Sequence, residues 1–461
     1  MDIDCIIVGG GLAGLVCANR VAQLGRKPLI LEQGADVDYA CNSRFSGGIL
    51  HVAFKDMRAP VGAVESAVRE LAGNDSATTH AGVLAANGEV ALEWLRGEGT
   101  KFVKGGALEF MRWILAPPRP RRPGLDWKGR GPDVMLRNLT SRLEAIGGEV
   151  RRGVRVRNLV RKDGAICGVV ADTSTGEETI LAPTVVIADG GFQGNEALVR
   201  EYICDTPSKL FPRGAGTSRG DGLEMAIKAG AATVGLNRFY GHLLGRGVFE
   251  NESLWPYPTV DAIAQAALLL DGEGARFTDE GRGGVYMANA VAKLDDPFSA
   301  VAVFDEGIWT GIAADNRYPP CMNPSFERVG GEVLTAPSID ALATQLEMSP
   351  ERLAQTVSEH NDGVAVGRST PARTRVPVAP QPLVSAPFRA IRVCAGMTYT
   401  MGGIAVDTSN RVVGVDGAPM PGLYAIGSAS GGMEGGENAA YLGGLAKAVV
   451  TGLQAAEAMV G

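Results

Sequence analysis

The stretch from Ile3 to Gly34 constrains this chain more than any other. Ile3 to Val8 is a short apolar run of β type. It is followed by Gly9-Gly10-Gly11-Leu12-Ala13-Gly14, a helical stretch Leu15 to Leu24, and a second apolar run, Lys27 to Leu31, closed by Glu32. A strand, glycine turn, helix, strand and acid in that order predict the nucleotide-binding unit of a Rossmann-like α/β domain. Gly9 makes the tight turn, Gly11 lets the backbone approach a pyrophosphate, and Gly14 lets helix and strand pack closely. The helix N-terminus offers free N–H groups to phosphates, and Glu32, with Gln33 beside it, is placed for a ribose hydroxyl. In a chain with 63 glycines a lone motif carries little. The full context predicts a bound adenine dinucleotide and leaves FAD and NAD both open.

Bulk properties narrow the classes. The 461 residues suggest about three domains of ordinary size, and 45% hydrophobic with 21% charged residues is a globular composition. A net charge of −7 gives no footprint for nucleic acid. Arg119, Arg121 and Arg122, followed by Asp126 and Lys128, read as a solvated loop. No apolar run is long enough to span a bilayer, and the N-terminus reads as a strand rather than a signal peptide. The seven cysteines are scattered without a C-x-x-C, which speaks against iron–sulfur, zinc and c-haem sites and suits a reducing cytoplasm. Four histidines without ligand spacing predict no metal.

Along the chain, Asn42 to Gly48 is a polar, glycine-ending segment that suits either a plain turn or a backbone lying against a flat ring. Ala63–Leu71, Ala85–Gly97 and Asp133–Ile146 read as helices from their apolar spacing, and the proline-rich Trp113–Pro132 between them reads as a loop. Three β runs follow, at 148–156, 164–171 and 180–188. Val185 to Asn195, VVIADGGFQGN, empties a buried strand into a glycine pair, and Gly220-Asp221-Gly222 opens another helix, Thr217–Ala229. From Gly230 the glycine-to-strand rhythm fades. It returns with Thr398 to Gly403 and with the strand ending at Gly427, before a last helix, Leu445–Met459. The expected architecture is an α/β chain with a discontinuous Rossmann-like domain, 1–229 and 376–461, around an inserted α+β cap, 230–375.

Four motifs in this order, the Gly9 fingerprint, VVIADGGFQGN, LLLDGEGARFTDE and TMGGIAVD with GLYAIGSASGG, resemble the fumarate reductase/succinate dehydrogenase flavoprotein family over nearly the whole chain. The nearest likeness is to single-chain members such as tricarballylate dehydrogenases and ketosteroid dehydrogenases. The resemblance implies FAD rather than NAD. It places Gly9, Gly11 and Gly14 at the diphosphate, Glu32 and Gln33 at the ribose, and Ser43, Ser46, Gly47 and Gly48 along the isoalloxazine. Val156 would meet the adenine side, Ala188, Asp189 and Gly190 would line the channel, and Asn195 and Asp221 match positions near the flavin. Gly427 and Ser428 match the ribityl contact, where the family often has an acid. Gly443, Gly444 and Leu445 would begin a helix aimed at the flavin, whose dipole favours negative charge there. Covalently flavinylated relatives carry a histidine near Asn42–Gly48. None stands there, the nearest being His51, which implies non-covalent FAD.

The implied activity is oxidation or reduction of a CH–CH bond beside a carbonyl or carboxylate, with a small-molecule substrate and an unidentified electron donor or acceptor. The family's proton-handling arginine follows R-F-x-x-E. Here Arg276-Phe277-Thr278-Asp279-Glu280 leads to Arg282, with Asp279 and Glu280 as candidate relays and a surface salt bridge as the alternative role. His242 matches a position that contacts a substrate carbonyl or carboxylate, an ordinary partly buried histidine being the alternative role. Tyr399 stands where fumarate reductases have a histidine, and can donate a hydrogen bond to a carbonyl oxygen. Two departures point away from fumarate. The run Gly435–Gly444 lacks the arginine that clamps a carboxylate, and Ala262–Ala267 lacks a Thr-Glu pair. A substrate with fewer carboxylates, or a cyclic ketone or enone, fits these losses. An amino-acid or amine oxidase and an electron-transfer subunit are the competing readings.

Overall fold

Two apolar segments too short for helices, Cys5–Val8 (β1) and Pro28–Glu32 (β2), flank the helix Leu12–Gln23 (α1) and pair in parallel, Cys5 opposite Pro28 and Val8 opposite Leu31. Both strands are buried on both faces, which is why they read as continuous apolar runs rather than alternating ones. The computed structural model describes residues 3–73, 80–315, 321–375 and 378–460. It completes this sheet from far along the chain. Thr184–Ile187 joins the other side of β1, Pro419–Ala425 joins Thr184–Ile187, and Glu149–Arg152 joins β2, all parallel. Arg411–Val413 runs antiparallel at the outer edge.

The pleat divides the core. Cys5 and Ile7 face a cluster with α1, the helix Gly131–Ala145 and the last helix, Gly444–Val460. Ile6 and Val8 face the antiparallel meander Arg155–Lys162, Ala165–Thr173, Gly176–Leu181. A second sheet is built on the long strand Phe388–Thr400. Phe239–Gly245, Val301–Asp305 and Leu334–Ala336 pair with it antiparallel, and Phe211–Pro212 pairs in parallel. Leu268–Leu270 extends it beyond Val301–Asp305. The expected junction between 375 and 376 abuts residues 376–377, outside those described.

The expected loop Trp113–Pro132 needs correction. Trp113–Leu115 is a strand, paired with both Ile49–Leu50 and Phe102–Val103, and Gly131 and Pro132 already belong to the next helix. Among the described residues no helix is long and apolar enough to cross a membrane.

Candidate active site

The nucleotide end is built by the first turn of the chain. Gly9 has φ +105°, a left-handed conformation that side chains rarely adopt, and a Cβ there would lie 2.7 Å from the Ala188 carbonyl oxygen. A Cβ on Gly14 would overlap the Gly9 carbonyl, so α1 rests directly on the turn. At Gly11 the nearest atom to such a Cβ is Ser43 Oγ at 3.6 Å, so this backbone is open to the cavity. Leu12 N–H donates to Ser43 Oγ at 3.1 Å, tying the helix start to the segment Asn42–Phe45. That segment is anchored by Arg44, which is buried and ion-paired with the buried Asp133.

Glu32 closes β2 with both carboxylate oxygens engaged, accepting from Gly10 N at 2.8 Å and Gly34 N at 2.7 Å. Burial raises its pKa against the pull of those N–H groups and of Arg44 and Arg152. Asp189 Oδ2 accepts from Gly222 N at 2.7 Å, whereas its Oδ1 has no partner among the described residues. Burial first, then the Asp221 and Glu32 charges, push Asp189 up to about 7, partly offset by the Gly222 N–H. Asp221 itself is held by a two-pronged pair with Arg155 at 2.7 and 2.8 Å.

A single cavity of about 770 Å³ runs from this turn to the second sheet. Of the expected cofactor residues, Gly9, Gly11, Glu32 and Gln33 line it, as do Ser43, Ser46, Gly47 and Gly48 from the next segment. Further along, Val156, Ala188, Asp189, Gly190 and Asp221 line it, followed by Gly427, Ser428, Gly444 and Leu445. Gly14 and Gly443 lie behind the wall. Asn195 is also off the cavity: its side chain caps the helix Glu196–Tyr202 and donates to Arg219 O at 3.1 Å. The short polar side chain before that helix has the cap role its position favours.

Arg282, His242 and Tyr399 all line the same cavity. Arg282 Nη1 donates to Asn438 Oδ1 at 2.6 Å, its Nε lies 3.3 Å from Asp279 Oδ2, and its guanidinium covers the Tyr286 ring at 4.8 Å. Asp279 therefore positions Arg282. Glu280 is instead buried against Arg276 and Arg373 and accepts from Leu269 N, away from the cavity. His242 is fixed on both ring nitrogens, Nδ1 to Asp261 Oδ2 at 2.5 Å and Nε2 to the Tyr240 hydroxyl at 3.0 Å.

Tyr399 donates its proton to Glu434 Oε2 at 2.8 Å, so the hydrogen bond expected for a substrate carbonyl is already committed. Burial, and then the Glu434 charge, raise this phenol well above its ordinary range. Glu434 also accepts from Leu442 N and Gly443 N, at 2.9 and 3.1 Å, just before the last helix. Lys447 lies 4.0 Å from it and donates to Ser430 O.

Sequence reading also missed an arginine cluster. Arg119 and Arg121, expected to be solvated, are half-buried and line the cavity together with Arg213, whereas Arg122 is exposed and paired with Asp126 at 2.9 Å. The loop turns inward because Gly124 N–H donates to Trp255 O at 3.0 Å, seating Arg119 5.7 Å from the Tyr257 ring. Arginine next to proline looks solvent-exposed in sequence. Its partner here is some 130 residues away.

Residues 4–440 match the family described as an FAD binding domain. The chain is 25% identical over 94% of its length to vinyl phenol reductase from Lactiplantibacillus plantarum, covering 90% of that protein. It is 26% identical over 94% of its length to NADH:fumarate oxidoreductase from Klebsiella pneumoniae, of which it spans 45%, less than half. Its fold superposes on 3-ketosteroid delta1-dehydrogenase from Sterolibacterium denitrificans with a TM-score of 0.71, 99% of each chain covered and 17% identity.

Proposed function

The chain belongs to this FAD-binding family, and from that premise we propose an FAD-dependent oxidoreductase that reduces or desaturates a CH–CH bond beside a carbonyl or carboxylate. One observation carries the reading: Gly9 and Gly11 of the fingerprint turn and Arg282 share one continuous cavity. The residues fit FAD. Gly11 is open to the cavity, Glu32 stands on its wall, and Asp189 Oδ1 offers an acceptor without a partner among the described residues. FAD, when bound, supplies two-electron oxidation and reduction. In this reading Gly9, Gly11 and Ser43 hold the diphosphate, Glu32 and Gln33 the ribose, Val156 the adenine side, and Gly47, Gly48, Gly444 and Leu445 the ring.

Arg282 handles the proton. A guanidinium stays protonated at any working pH, so in the reductive direction Arg282 is the acid, and Asp279 beside its Nε holds it in place. His242, clamped between Asp261 and Tyr240, presents a fixed imidazole edge to the substrate. Binding of FAD is non-covalent: acid precipitation releases all flavin into the supernatant, whereas a pellet that stays yellow overturns this. The seven scattered cysteines suit a reducing, cytoplasmic setting, and the electron partner is a separate molecule.

The test is an anaerobic panel of di- and tricarboxylates, monocarboxylates and cyclic ketones, with their unsaturated counterparts. Bleaching of oxidised flavin by one class, or reoxidation of dithionite-reduced flavin by its unsaturated form, is expected. Reaction with amines or amino acids and release of peroxide marks an oxidase instead.

A further inference from the structure

Three guanidiniums converge on one part of the cavity. Arg213 is only 9% exposed. Its Nη1 donates to Thr398 Oγ1 at 3.0 Å, while its buried Nε has no partner among the described residues. Arg119 donates to the Phe45 carbonyl at 2.5 Å, and Arg121 reaches only the Met111 sulfur, at 3.3 Å. Among the described residues none of the three is ion-paired with a carboxylate. Asp261, whose charge favours the Arg213 cation, is already taken by His242 and by Leu243 N at 2.9 Å. Burial would raise the Tyr257 phenol, yet Arg119, Arg213 and Arg121 outweigh it and hold it below its ordinary value. An unpaired buried cation is costly unless a ligand supplies the anion.

We propose that Arg213, Arg119 and Arg121 form an anion subsite that takes one carboxylate of the substrate, with the stacked Tyr240 and Tyr441 rings packing against an aromatic or cyclic body attached to it. The inference rests on the function proposed above and names its substrate class. The diphosphate has its own cradle at Gly11 and Ser43. Arg213, by contrast, is bonded to the second sheet at Thr398, next to Tyr399. Tyr240 and Tyr441 stack at 3.9 Å with ring planes 18° apart, presenting a flat apolar wall. Arg282 is already engaged by Asn438 and Asp279, which leaves this cluster as the place for a carboxylate. It takes the role of the arginine absent from Gly435–Gly444. Planar two-pronged contact favours carboxylate at such a site.

The test titrates the oxidised, FAD-loaded protein with 3-phenylpropenoate and with its neutral amide, following the flavin absorption. The acid binds tighter than the amide, and Arg213→Gln and Arg119→Gln each weaken the acid roughly 30-fold while moving the amide by no more than about threefold. Arg213→Lys falls between, because charge is kept and the fork is lost. The flavin midpoint potential stays where it was in Arg213→Gln. If that variant does not fold, Arg119→Gln gives the same reading. Equal affinity for acid and amide, or binding of neither, overturns the proposal. A shifted potential with the acid preference intact also overturns it, since the arginines then serve the flavin. The function fails separately: in that case no unsaturated acid, amide or enone reoxidises the reduced flavin.

Discussion

Tyr399 and Glu434, 35 residues apart, meet at 2.8 Å beside the start of the last helix, and the phenol is the donor. The carboxylate is fully buried, with two backbone N–H groups on its other oxygen and Lys447 at 4.0 Å. The pair fixes the Gly443–Gly444 turn against the cavity wall.

Removing one charge of this network exposes its cost. Lys447→Met leaves Glu434 buried without its cation and lowers unfolding free energy by about 3 kcal/mol. Glu434→Gln combined with Lys447→Met recovers most of that loss. Urea denaturation of the three proteins checks it; a double variant no better than Lys447→Met contradicts the coupling.

Two of the three fingerprint glycines separate folding from binding. Gly14→Ala drives a Cβ into the Gly9 carbonyl and lowers the melting temperature of the protein with or without flavin. Gly11→Ala meets only Ser43 Oγ at 3.6 Å, so the apoprotein melts as before while FAD affinity falls at least tenfold. Calorimetry and flavin fluorescence read the two effects.

His51 gives stability a pH dependence. Burial lowers its pKa from 6.5 to about 4, and its Nδ1 accepts from Phe54 N at 3.1 Å. Below about pH 6.5 the unfolded chain takes up a proton that the folded chain refuses until about pH 4. Stability is therefore full above that window and falls through it, by up to about 3 kcal/mol. His51→Asn keeps an acceptor for Phe54 and flattens the slope. A slope unchanged in His51→Asn contradicts this assignment.

For Arg282 the expected loss is kinetic. Arg282→Ala lowers turnover by roughly 10²- to 10⁴-fold, the range for a positioned proton donor, without loss of bound FAD. Turnover within a few-fold of the parent assigns the proton elsewhere, Tyr240 and His242 being further groups on the same cavity wall.

The β1–α1–β2 unit was readable because its signals are consecutive: apolar runs of strand length, glycines at fixed offsets and an acid closing β2. The long strand Phe388–Thr400 was read only in its final residues. Buried on most of its length, it shows no alternation, and its partners come from four distant segments. The candidate catalytic trio was found through motif order, but what each side chain touches was not. Tyr399 and Glu434, or Arg119 and Tyr257, meet through tertiary packing that leaves no local pattern. Asn195 shows the converse, a position matched by motif whose side chain does the local work of a helix cap.

The central claim is tested most directly by anaerobic titration of the dithionite-reduced, FAD-loaded protein with an α,β-unsaturated acid. The account predicts full return of the oxidised spectrum at one equivalent per flavin, with the saturated acid as product. Flavin that stays reduced in the presence of every unsaturated acid, amide and enone offered, yet reoxidises in air, contradicts it.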